Sequence, residues 1–206
     1  MPSPPAIHLR TSISLSLPDW LLSEMSDGSI PEFLPQVEDQ MRLALRLSRR
    51  NVEEETGGPF GALIVEVQSG RLVGVGVNRV VPLTCSLYHA ETVAISMAQA
   101  LFPRFTLGAE DMPAHALISS AQPCSMCFGA TLWSGVSRLV CGATREDVES
   151  ITGFDEGPLV ENWREELEKR GIEVLDNICR DEATAVLEKY IELNGVVYNG
   201  SSAKKP

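Results

Sequence analysis

Positive charge is scarce in this chain. Seventeen Lys and Arg stand against 28 Asp and Glu, giving a formal net charge of −11 and an isoelectric point near 4.7. A nucleic-acid backbone is bound by clustered Lys and Arg, so the balance argues against a nucleic-acid substrate and leaves room for one only at a local basic patch. Long apolar runs are missing too. None approaches the roughly 18–20 residues needed to span a membrane, and no basic-then-apolar leader follows Met1, so neither anchor nor signal peptide is expected. Disulfides are also not expected. The five cysteines are odd in number and widely scattered, which suits a reducing, cytoplasmic setting better than a disulfide framework.

What remains is the composition of a globular domain, 44% apolar and 22% charged over 206 residues. Residues 1–35 hold six of the thirteen prolines and show no helical period; an extended N-terminal arm packed on the domain is expected there. Residues 36–198 form the domain and 199–206 a tail. Val37, Met41, Ala44 and Leu45 fall on one face of a helix running to about Glu55, stopped by Thr56-Gly57-Gly58-Pro59. Strands are predicted over 60–67, 71–78, 114–119, 138–143 and 172–175. The second has two glycines, which suggests that something packs close to it. Helices are predicted over 90–101, 124–134, 161–170 and 181–193, with a helical turn at 147–151. The helix over 124–134 is apolar on every side, as a buried helix is. The order gives an α/β fold, a three-layer α-β-α sandwich around a five-stranded mixed sheet.

One stretch carries chemistry. In Pro123-Cys124-Ser125-Met126-Cys127 two cysteines three apart at a helix start point both sulfurs to one face. His89 completes a set of one imidazole and two thiolates, which neutralises a Zn²⁺ and leaves a tetrahedral ion one open position for water. A closed structural zinc site would need a fourth protein ligand, for which Cys85, Cys141 and His115 are the candidates. Glu91, two residues after His89, is either a proton carrier or a solvated acid at a helix N-terminus. Residues i and i+2 of a helix do not share a face, so both can serve one site only if His89 lies at or before the first helical turn.

His89-Ala90-Glu91 with Pro123-Cys124-Ser125-Met126-Cys127 resembles the His-x-Glu…Pro-Cys-x-x-Cys pattern of zinc nucleobase deaminases. Residues 36–198 resemble the cytidine-deaminase-like superfamily and, within it, the bacterial-type guanine deaminases. Four further segments carry that resemblance: Gly57-Gly58-Pro59-Phe60-Gly61-Ala62, Asn78-Arg79-Val80, Phe128-Gly129-Ala130 with Trp133, and Gly153-Phe154-Asp155-Glu156. The resemblance implies a homodimeric enzyme of purine metabolism that binds Zn²⁺ through His89, Cys124 and Cys127. It implies hydrolysis of guanine to xanthine and ammonia, with Glu91 and Glu156 as catalytic carboxylates. Asn78, Phe60, Ala90 (through its backbone amide), Trp133, Phe154 and Tyr198 would bind the base.

Each assignment also has a plainer reading. Phe60, Trp133 and Phe154 could hold a flat base on their faces and edges or simply pack in a core. Asn78 can donate and accept along a purine edge or serve a turn, and Glu156 could be a solvated loop acid. Competing substrates are cytosine, adenine and an ammeline-like triazine. A tRNA adenosine deaminase shares the zinc motif but fits poorly with the acidic charge. A zinc-stabilised interaction protein without turnover is the rival of another class.

Overall fold

The computed structural model describes residues 11–200; the first ten residues of the expected arm and the tail beyond Gly200 lie outside the described residues. Among them, seven helices and five strands follow in the order α1 (Asp19–Asp27), α2 (Val37–Glu53), β1 (Gly61–Glu66), β2 (Leu72–Val77), α3 (Ala90–Leu101), β3 (His115–Ala121), α4 (Ser125–Ser134), β4 (Arg138–Ala143), α5 (Arg145–Thr152), α6 (Trp163–Glu168), β5 (Glu173–Leu175) and α7 (Arg180–Glu192). The strands form one sheet in the order β2-β1-β3-β4-β5. β1 runs antiparallel to both β2 and β3, and β3, β4 and β5 are parallel. This is the expected five-stranded mixed sheet.

Alternation along each strand builds two cores. On β1, Leu63 and Val65 face α2, while Ala62 and Ile64 face α3. β3 repeats the division, with Ile118 on the first side and Leu117 on the second. Helices α2 and α7 cover one face, and α3, with α4 beside it, the other. All seven residues of β3 are buried, so the central strand needs apolar residues on both faces, as sheets covered on both sides do.

The glycines of β2 have the close neighbour expected of them. A Cβ on Gly76 would lie 2.2 Å from the carbonyl oxygen of Ala90, and one on Gly74 2.7 Å from that of Ala94. Two missing side chains therefore let α3 sit directly on the strand, which fixes the height at which His89 enters the helix.

Three expectations are corrected. The arm is not simply extended. Residues 19–27 form α1, opened by Pro18 and Asp19 and closed by Gly28 in the left-handed conformation at φ 80°. Trp20, Leu21 and Glu24 face inward, with Glu24 paired to Arg46 and Arg50 of α2. Helix α4 is not enclosed: only Cys127, Thr131 and Ser134 are buried. Phe128, Ala130 and Leu132 are half-buried against the second core, and Trp133 is exposed. On α7 the inward stripe runs through Ala183, Val186, Leu187 and Tyr190. Ile191, which helical spacing over the predicted 181–193 helix would also turn inward, is 39% exposed in the last turn of α7.

Candidate active site

The three proposed ligands converge at two helix N-termini. His89 is the extended residue just before α3 (φ −68°, ψ 156°), and Cys124 stands in the same relation to α4 (φ −64°, ψ 174°). Cys127 lies one turn inside α4 on its buried face. Their ligand atoms all fall within 4.8 Å of one another, with Cys124 Sγ 3.6 Å from His89 Nδ1. Because His89 precedes the helix and Glu91 is inside its first turn, an i, i+2 pair can serve one place. Cys85, Cys141 and His115 do not join the group; His115 instead makes a 2.9 Å hydrogen bond between its Nδ1 and the Leu107 carbonyl.

The chemistry of this donor set fits a divalent metal. The hydrogen bond from Cys127 holds the Cys124 thiol down to about 4, helped by His89. The same bond pushes Cys127 up, as do its burial and the charge of Glu91. One imidazole nitrogen and two sulfurs within 4.8 Å of one another can together hold a divalent cation. Three protein ligands leave a fourth position free, the arrangement of a reactive rather than a structural site.

A cavity of about 280 Å³ opens beside this cluster. His89, Glu91 and Cys124 line one side of it, and Phe60, Phe154 and Tyr198 supply aromatic walls. The Phe154 ring centroid lies 5.6 Å from that of Phe60 and 4.6 Å from that of Tyr198. Glu156 enters from the 153–158 loop. Burial raises its carboxyl to about 8, with the negative charges of Cys124 and Glu91 adding to the effect. Burial also raises Glu91, again helped by Cys124. Two largely buried carboxyl groups lining one cavity cannot both carry charge cheaply, so the site can hold them in different protonation states.

Asn78, the residue after β2, is fully buried. Its Oδ1 accepts from the Val80 amide at 3.2 Å, while its Nδ2 has no protein partner. Its backbone N–H donates to Phe60, a wall residue, at 3.0 Å. Ala90 is buried between His89 and Glu91 in sequence, with its side chain off the cavity wall. Trp133 does not reach the cavity of its own chain. It is 86% exposed, because the buried stripe of α4 is Cys127, Thr131 and Ser134 and residue 133 falls on the other side.

Sequence reasoning missed two residues that hold the rim. The Ser125 amide donates to the Glu156 carbonyl at 3.0 Å, tying the acidic loop to the N-terminus of α4. Asn199 takes the Asp155 amide on Oδ1 at 2.8 Å and donates from Nδ2 to the Gly153 carbonyl at 3.1 Å. Asn199-Gly200 carries only a turn signal in sequence, and nothing local says which loop it meets.

Comparison with known proteins agrees with this geometry. The family model for the cytidine and deoxycytidylate deaminase zinc-binding region matches residues 35–143. The solved structure of a guanine deaminase from Nitrosomonas europaea is 45% identical with a TM-score of 0.82, the match covering 89% of this chain and 98% of that one. A guanine deaminase from Bacillus subtilis is 31% identical over 132 residues, 64% of this chain and 80% of the relative. A probable cytosine deaminase from Schizosaccharomyces pombe is 32% identical over 147 residues, 69% of this chain and 85% of the relative.

Proposed function

The chain belongs to the cytidine and deoxycytidylate deaminase zinc-binding family, and from that membership we infer that it is a guanine deaminase, hydrolysing guanine to xanthine and ammonia. The observation that carries the choice of base is the 45% identity to the Nitrosomonas europaea guanine deaminase over 89% of this chain. The match to the probable cytosine deaminase is 32% over 69%.

The metal that fits is zinc, held by His89, Cys124 and Cys127; when bound it supplies the Lewis acidity that makes water nucleophilic near neutral pH. Glu91 accepts the first proton of the attacking water as its oxygen bonds to C2 of the base, and passes that proton to a ring nitrogen. Glu156 holds the exocyclic amino group and relays the water's second proton to it. The C2–N bond then breaks and ammonia leaves. Phe60, Phe154 and Tyr198 exclude water and hold the flat ring. The free amide nitrogen of Asn78 donates to an acceptor on the purine edge, and the Ala90 amide helps to bind or polarise the base. The enzyme works in the cytoplasm, a reducing setting that suits five cysteines of which none is in a disulfide. No helix among the described residues is long and apolar enough to cross a membrane.

The outer face of α4 supports a homodimer. Trp133 on that face is 86% exposed, and exposed aromatic groups are enriched at protein–protein contacts. A monomer by sedimentation at micromolar concentration would remove this assignment.

The test of the function is ammonia release from guanine, adenine, cytosine and an ammeline-like triazine, with zinc measured in the same sample. Guanine should be turned over fastest, with about one zinc per chain. Faster release from cytosine or the triazine, or none from guanine, would overturn the reading.

A further inference from the structure

Asn78 is fully buried behind the cavity wall and does not line the cavity itself, but it is hydrogen-bonded to Phe60 and Val80, which do, and a residue farther from the cavity holds its backbone. β1 and β2 pair as far as the Asn78 amide and the Phe60 carbonyl, 3.0 Å apart, and then splay. Beyond that point the Asn78 carbonyl accepts from no backbone amide among the described residues, and the Gly58 carbonyl accepts only from the Phe60 amide two residues on, at 2.9 Å. Both are met by one side chain. Asn51, fully buried near the end of α2, donates from Nδ2 to Gly58 O at 2.9 Å and to Asn78 O at 3.0 Å. Its Oδ1 accepts from the Thr56 hydroxyl at 2.9 Å, and that hydroxyl in turn accepts from Trp20 Nε1 of α1 at 2.8 Å.

This arrangement fixes the residue type. Two carbonyls demand two N–H donors and the hydroxyl demands an acceptor, so the orientation of the amide is set by its partners. Aspartate has the shape but no donors. Gly57 must be glycine for the same reason, since a Cβ there would lie 1.8 Å from Asn78 O and 2.6 Å from Asn51 Nδ2. Every polar atom of Asn51 is satisfied in a place water does not reach, and such fully satisfied buried networks hold one geometry.

We propose that Asn51 is a positioning residue for base recognition. It clamps the backbone of Asn78 so that the unpartnered Asn78 amide nitrogen stays available to the purine, and Trp20 of the N-terminal helix braces it through Thr56. The arm is thereby part of the substrate-binding apparatus. The inference rests on the assignment of Asn78 as a base contact.

The experiment compares guanine kinetics, zinc content and Tm for N51D, N78A and the double variant. N51D should keep its zinc and raise KM about tenfold, the effect of disturbing one or two buried hydrogen bonds, with kcat changed less than about threefold. In the N78A background it should add less than about twofold, because residues acting through one group are not additive. A fall in kcat at unchanged KM, or independent multiplication of the two effects, would overturn the proposal. An unchanged KM in N78A alone would instead remove the base contact itself, and the inference with it. If N51D does not fold, W20F decides. It keeps an aromatic ring beside Arg50 while deleting the Thr56 hydrogen bond, and should raise KM about two- to threefold only when Asn78 is present. An unchanged KM in W20F rejects the brace.

Discussion

The two sides of the cavity are made by opposite means. One side is His89, Glu91 and Cys124, with Cys127 close behind them, all on or just before the first turns of α3 and α4, two helices beside the central sheet. The rim is Glu156, Phe154, Tyr198 and Asn199, none of them in a helix or strand. It is held by the Ser125 amide, the two hydrogen bonds of Asn199 and contacts between aromatic rings. The first side is rigid because regular backbone hydrogen bonds hold it. The second can be loosened one bond at a time, as segments that admit and release substrate are.

That contrast can be broken at four points. Glu91→Gln should give the largest loss, on the order of 10³-fold in kcat, with zinc content unchanged; turnover within tenfold of the parent enzyme would take the proton-carrying role from Glu91. Glu156→Gln should cost about 10²-fold while the metal side again stays loaded, and full activity would leave the rim without chemistry of its own. Asn199→Ala should lower kcat/KM by roughly fivefold through loss of the two loop bonds, leaving Tm nearly unchanged. A fall in Tm as large as that for a core substitution would show that the rim is not separable from the fold.

The smallest effect is far from the cavity. Asp147 caps α5 through Thr144 and pairs with Arg180 at 2.7 Å. The hydrogen bond from Arg180 holds its carboxyl down to about 2, with Thr144 adding to it. A depressed carboxyl stabilises the fold above its unfolded value of about 4 and loses that contribution as the pH falls towards 2. Arg180→Ala should therefore lower Tm by only about 1–2 °C at neutral pH, and the gap should close as the pH falls from about 4 to about 2. A gap that widened with acid would reverse the assignment.

The same contrast separates what could be read in the chain from what could not. α3 matches its expected span of Ala90–Leu101, because its apolar positions repeat at helical spacing, and the glycines of β2 announced a close neighbour that turned out to be α3. The arm hid its helix because α1 is short and its inward face is formed by Trp20, Leu21 and a charged Glu24, a stripe that the apolar pattern alone does not show. α4 looked buried because composition reports how apolar a helix is, not what covers it. Asn51 gave no signal. It occupies one position in an amphipathic helix, and its partners Asn78 and Gly58 lie 27 and 7 residues away.

The sequence by itself marked the fold class, through the periodicity of its strands and helices, and singled out His89, Cys124 and Cys127, which the structure brings within 4.8 Å; Glu91 and Glu156 were singled out by the resemblance of their segments to a known family, and both line the cavity. Only the tertiary structure decided that Trp133 stands away from the cavity of its own chain, that Asn199 holds the 153–155 loop, and that Asn51 meets the Gly58 and Asn78 carbonyls. Those arrangements rest on hydrogen bonds and packing between segments distant in sequence, where chain spacing carries no information about which groups meet.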